Sequence, residues 1–154
     1  MTGRLSIEQI EELLRDNNFG RIGCRDSELV YIVPVNYVYD GKYIVCHSVP
    51  GMKIEMMRKN PKVCFQVDVV KDFNHWKSVI AWGEYQELTD ERARYGAMKL
   101  FIDRTLRLKI SETALPPELS EFRVHPRPPE NIKPVIYRIA VTEKTGRYED
   151  TSIE

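Results

Sequence analysis

A small domain dominated by an antiparallel, closed or partly closed β-barrel with flanking helices is the fold class that this sequence predicts. Three observations predict it. Short segments rich in Val, Ile and Tyr recur along the chain, as half-buried strands do. Asp40-Gly41 lies between two of them and is the strongest hairpin signal present. The helical patterns do not alternate one for one with strands, which argues against a parallel sheet of βαβ units. The 154 residues fit one domain, taken as 1–154, with a real core.

The elements follow in order. Ser6-Ile7-Glu8-Gln9 reads as a capping box. Ile7, Ile10, Leu13 and Leu14 then mark one helical face. Asn17-Asn18-Phe19-Gly20 ends the helix with residues that tolerate a left-handed turn. Residues 21–25 form a short strand, 26–28 a turn and 29–39 a long strand. Pro34 cannot donate to a ladder, so it marks a bulge or an edge. Residues 42–47 return as the hairpin partner. A short helix over 52–59 stops at Asn60-Pro61. Val63, Phe65 and Val67 alternate along a half-buried strand. Residues 76–88 form another, with Gly83 as a bulge. Thr89 caps a helix over 90–108 whose apolar face holds Ala93, Ala97, Leu100 and Phe101. Five prolines forbid a long helix in 109–133. A last strand covers 134–142, Thr145-Gly146 turns the chain, and the acidic tail from Glu149 frays.

Composition excludes several functions. Lys plus Arg and Asp plus Glu number 23 each, so the basic excess of a duplex binder is missing and no nucleic-acid partner is expected. No apolar run approaches the ~20 residues of a membrane span, and the first residues carry no signal-peptide core. A soluble, cytoplasmic protein with no membrane partner is expected. The three cysteines read as free thiols in a reducing compartment. Cys46 and His47 are strand neighbours and face opposite ways, so no metal site is expected from them.

One anion site is legible. Gly51-Met52-Lys53 stands where the second helix begins. Helix-start amides and a lysine charge bind phosphate groups. His47 and Ser48 lie just before and can donate to the same anion. The alternative is a capped surface helix with a solvated lysine. The Gly-x4-Gly-Lys-Ser/Thr spacing of a nucleotide loop is missing.

Val33-Pro34-Val35-Asn36-Tyr37, Asp40-Gly41, His47-Ser48, Gly51-Met52-Lys53, and the run from Arg58-Lys59-Asn60-Pro61 to Phe65 resemble the pyridoxamine-5′-phosphate-oxidase-like superfamily. Trp76-Lys77-Ser78-Val79 with Gly83, Tyr137-Arg138-Ile139 and Thr145-Gly146 continue the match, which covers roughly residues 5–147. The small members that include nitroimidazole-resistance proteins are the most similar. The resemblance implies a mainly β (α+β) split barrel of antiparallel strands, dimeric, with FMN at the dimer interface. It implies that main chain from Val33 through Pro34, Val35 and Asn36 borders the flavin edge. His47, Ser48, Met52 and Lys53 would hold the phosphate, and Trp76 and Ser78 would touch the flavin from one side of the interface. Trp76 reads equally well as a core aromatic.

The expected function is that of an FMN-dependent oxidoreductase on a small molecule, nitroaromatic reduction included. The flavin supplies the redox chemistry and the protein supplies orientation, so no catalytic side chain is assigned. The alternative is a non-catalytic module for flavin, deazaflavin or haem. Oxidation of pyridoxamine phosphate itself is disfavoured, because Arg147-Tyr148-Glu149-Asp150 lacks the Trp and Arg-Leu-x-Pro ending of that enzyme. The 110–133 loop, with Arg123, His125 and Arg127, either shapes the substrate side or covers the partner subunit. A homodimer is expected, since residues 62–88 offer more apolar positions than one barrel interior uses.

Overall fold

The computed structural model describes residues 1–111 and 133–151. Among them, eight strands and three helices run in the order β1 (Thr2–Arg4), α1 (Ile7–Asp16), β2 (Phe19–Asp26), β3 (Leu29–Asn36), β4 (Val38–Tyr39), β5 (Tyr43–Ser48), α2 (Met52–Lys59), β6 (Lys62–Asp72), β7 (His75–Glu87), α3 (Glu91–Ser111) and β8 (Val135–Asp150). The strands form one antiparallel sheet in the order β3-β2-β6-β7-β8-β5-β4, and β1 adds to β8. The sheet curls until β3 and β5 come into contact without pairing. The split of the barrel therefore lies between them, and α2 packs on β2 beside it.

Alternation builds the core. Ile22, Ile44, Phe65, Val67, Val79 and Ile139 point inward and are fully buried, as a period of two requires. Leu14 of α1 and Ile54 and Met57 of α2 complete the core. Tyr37 stands edge-on to Phe65 at 4.7 Å and donates its hydroxyl to Leu14 O at 2.8 Å. That bond ties α1 to the barrel.

Several sequence expectations hold. The Ser6–Gln9 capping box is present. Pro34 lies on β3, an edge strand. Gly83 follows a register shift in the β7–β8 pair. Asp40 accepts from the amides of Lys42 and Tyr43, and Gly41 takes the positive φ of 98° that closes the hairpin.

Others are corrected. Ile7 is exposed, and the buried face of α1 is carried by Ile10, Leu13 and Leu14. Asn17 is extended and caps α1 with its side chain, from Nδ2 to Leu13 O, so no left-handed residue is needed. The long strand breaks at Tyr37, whose amide donates to Asn18 O. Asp90, one residue past Thr89, caps α3 by accepting from the Ala93 amide. Thr145-Gly146 is no turn: β8 runs straight through it, pairing Gly146 with Val79. A Cβ at Gly146 would come within 2.8 Å of Leu5 and Ile10 side-chain atoms, so glycine there admits α1 close to the sheet. The tail to Asp150 is paired with both β1 and β7 rather than frayed.

A polar clamp fastens α1 to β4 and β8. Lys144 Nζ and the Tyr39 hydroxyl both donate to the Glu11 carboxylate. Burial alone would raise the Glu11 pKa; the Lys144 and Tyr39 bonds and the Lys144 and Arg15 charges outweigh it and hold the carboxyl below its ordinary 4.5. A depressed folded value means the contribution is fully present above the unfolded pKa and is lost as pH falls through the folded one. Glu11→Gln is therefore expected to cost about 1–3 kcal/mol at pH 7. Urea melts at pH 7 and pH 3.5 check this: the gap between wild type and variant should narrow at the lower pH.

Candidate functional site

The start of α2 is built as an anion site. β5 ends at Ser48 and Val49-Pro50 lead to Gly51, which is extended and gives no side-chain cap. The Glu55 amide is the first to bond back, to Gly51 O. The amides of Met52, Lys53 and Ile54 are thus left to outside acceptors. Lys53 is half-buried, and among the described residues it has no hydrogen bond or ion pair. Its charge reaches inward as far as the Cys24 and Cys46 thiols, although burial still pushes Cys46 up to about 12. A lysine without a partner among the described residues, beside three free amides, suits a phosphate dianion. Met52 is exposed on the same turn. The residues present therefore fit the phosphate end of an FMN.

His47 and Ser48 lie on opposite faces of β5. Along β5, Ile44 and Cys46 face the barrel, while Val45 packs with Ala97 and Ile136. His47 falls on the Val45 side, and its ring meets Phe101 of α3 edge-on at 4.8 Å. Desolvation beside α3 lowers its pKa, although the residue as a whole stays exposed. Ser48 points the other way and donates to Val49 O at 2.8 Å.

Val33, Pro34, Val35 and Asn36 lie on edge strand β3. Val35 is buried, Val33 half-buried, and Pro34 and Asn36 exposed. Only β2 pairs with β3 among the described residues, so the other edge of this segment offers backbone groups to a ligand. Trp76 and Ser78 are on the outward face of β7, both half-buried. Trp76 Nε1 donates to Glu149 Oε2 at 3.1 Å, and Ser78 Oγ accepts from Gln66 at 3.1 Å. β2 and β6 separate β3 from β7, about 14 Å for three strand spacings. Within one protomer, therefore, the sheet does not bring Ser78 to the Val33–Asn36 edge.

Sequence reasoning missed two neighbours of Ser78. Arg21 and Gln66 share its outward face and bond to each other. The alternation of β6 places Gln66 opposite the core positions, but its cross-strand partners depend on a register that single segments do not reveal. His75, without an assigned partner from sequence, is held by Asp72 at 2.7 Å. It opens on a cleft of about 750 Å³ between α1 and the end of β6–β7, lined also by Arg4, Glu12, Lys71, Lys77 and Tyr148. Charges of both signs mix there; of the candidate flavin residues Trp76 lines it, while Lys53 and β3 take no part in it. Arg123, His125 and Arg127 lie outside the described residues.

The sequence model of the family described as pyridoxamine 5′-phosphate oxidase matches residues 6–148. An uncharacterised protein of Rhizobium meliloti (strain 1021) is 38% identical over 84 residues, 54% of this chain and 56% of the relative. The match thus spans little more than half of that curated relative. Among solved structures, a protein of Mesorhizobium loti described as FAD-binding has 31% identity and a TM-score of 0.70, covering 97% of this chain and 99% of that one. An FAD-binding protein of Mycobacterium smegmatis shares the fold, with 22% identity, a TM-score of 0.67, and coverage of 97% and 100%. An FAD- and haem-binding protein of the same organism shares it too, at 13% identity and a TM-score of 0.71, covering 99% of this chain and 75% of that one. With the antiparallel split barrel and the family match over nearly its whole length, this chain belongs to the pyridoxamine 5′-phosphate oxidase-like family.

Proposed function

We propose that the chain binds FMN as a homodimer and works as a cytoplasmic oxidoreductase on a small molecule, with nitroaromatic compounds the first class to try. The observation that carries the proposal is the uncapped start of α2 with Lys53 half-buried beside it. Bound flavin would supply the electron transfer; this chain's part is to hold and orient it. Lys53 and the amides of residues 52–54 take the phosphate. The open edge of Val33–Asn36 meets the ring edge. Ser78 and Trp76 face it from the partner, since one protomer keeps them apart. The outward sheet face that carries Ser78 also exposes Ile32, Ile80 and Trp82, a surface suited to a second copy.

The Mesorhizobium relative favours a second reading, in which the flavin is FAD. The purified protein distinguishes these. Expected is a flavin spectrum, with FMN released on denaturation at one per protomer. Release of FAD would keep the α2 site and add an adenylate region. A sharp Soret band would replace flavin with haem. Binding of riboflavin as tightly as FMN would remove the phosphate assignment. Flavin that binds but accepts no electrons from reduced nicotinamides, and passes none to nitroaromatic acceptors, would leave a storage or sensing module.

A further inference from the structure

A polar row crosses the outer face of the sheet from β2 to β7. Arg21 Nη1 donates to Gln66 Oε1 at 3.4 Å, and Gln66 Nε2 donates to Ser78 Oγ at 3.1 Å. Arg21 Nη1 also lies 3.6 Å from Asp68 Oδ1, so it engages the carboxylate directly across from Ser78. Register places these groups side by side, with Arg21 opposite Gln66 and Asp68 opposite Ser78. Chemistry sets the direction of the row. A guanidinium has donors only. Gln66 must therefore turn its carbonyl oxygen to Arg21 and its NH2 to Ser78. Ser78 accepts from Gln66 and keeps its one O–H, which has no acceptor among the described residues. The neighbouring donor on this face, Trp76 Nε1, is already committed to Glu149.

We infer that Arg21 and Gln66 are positioning residues that make Ser78 an outward hydrogen-bond donor to a ring carbonyl of the bound flavin. The inference rests on the flavin reading above. The surroundings suit such a ligand. Ile80 and Trp82 on one side of Ser78 and Trp76 on the other share its face of β7. Along β7 this makes an apolar strip with Ser78 as its hydroxyl donor, bordered by Asp68 on β6 and Arg147 on β8, and such a strip suits a flat ring with a carbonyl edge. A carbonyl conjugated to that ring gains negative charge on reduction, so a fixed donor holds the reduced form more tightly than the oxidised form.

The row can be reversed by one nearly isosteric change. The carboxylate introduced by Gln66→Glu still accepts from Arg21 and now also takes the Ser78 proton. Ser78→Ala removes the hydroxyl, and Ser78→Thr keeps it. The measurements are the FMN dissociation constant and the two-electron midpoint potential against a dye of known potential. Gln66→Glu and Ser78→Ala are each expected to lower the preference for reduced over oxidised flavin about tenfold, one hydrogen bond's worth. That fold-change is a drop of about 30 mV. Ser78→Thr should keep the wild-type potential, and Gln66→Glu should be silent in the Ser78→Ala background. A drop that persists in that background would mean the new charge acts through space, and the inference is overturned. Flavin that binds with the same potential in all variants also overturns it and leaves the cofactor reading standing. A wild-type protein that takes up no flavin overturns both.

Discussion

Lys53→Ala is expected to weaken FMN binding about 10- to 100-fold while leaving riboflavin binding unchanged. The Lys53 side chain is half-buried and without a partner among the described residues, at the open N-terminal end of α2. Its charge and the free amides of the helix start are both placed for one phosphate. A charge-assisted hydrogen bond contributes roughly 1.5–3 kcal/mol, which converts to that range of dissociation constants. Riboflavin has no phosphate and should not respond. Lys53→Arg should retain much of the affinity, since the charge stays within reach of the same helix start. Fluorescence titration with both flavins makes the comparison. The competing role for Lys53 is structural, because its charge reaches Cys24 and Cys46 inside the barrel. In that case Lys53→Ala would lower the melting temperature and change FMN and riboflavin affinity by the same factor. The ratio of the two constants separates the roles even if the variant is less stable.

Local chemistry was readable from the sequence wherever the residues that define a feature are close in the chain. The capping box needs Ser6 and Gln9, three residues apart, and both bonds form. The hairpin needs Asp40 and Gly41, and the carboxylate and the positive φ are both there. The bounds of α2, Met52 to Lys59, were readable for the same reason, while its assignment as a phosphate site comes from the resemblance. Features that depend on distant partners were not. Gly146 looks like a turn beside Thr145, but its smallness serves the approach of Leu5 and Ile10 from far up the chain. The acidic composition of the tail predicts fraying, and pairing with β1 and β7 overrides it. His47 is adjacent to Ser48 in sequence, yet strand alternation turns it toward α3, where its ring meets Phe101, more than fifty residues later. The row from Arg21 through Gln66 to Ser78 joins three strands and exists only once their register is set. The site residues on β3 and β7 come from resemblance, and the sheet order keeps them three strands apart within one protomer.

Ile32→Asp is expected to turn a dimer into a monomer and to release flavin with it. Ile32 is 66% exposed in the single chain, and Val30 beside it on the same face is 67% exposed. An aspartate at such a position costs the isolated fold little, since surface substitutions stay within about 0.5 kcal/mol. Buried against a second copy, the same carboxylate would be desolvated and unpaired, a penalty of several kcal/mol. Two-fold symmetry places the change on both partners, so it acts twice. Sedimentation at micromolar concentration should show the shift in mass, with an unchanged circular dichroism spectrum as the control. Cys64 reports on the same face. It is half-buried across from Trp82, with Gly23 on its other side, whereas Cys24 and Cys46 are buried. In the wild type a covered face should protect Cys64 from a thiol reagent, and Ile32→Asp should expose it to fast labelling of one thiol per chain. Flavin should be lost in parallel, because the proposed site draws Val33–Asn36 from one copy and Ser78 from the other. Retention of flavin at one per chain by a monomer would place the whole site within one protomer and send the outer face to some other partner. A wild type that sediments as a monomer, with Cys64 labelling at once, would remove the dimer from the proposal while leaving Lys53 and the α2 start to be tested on their own.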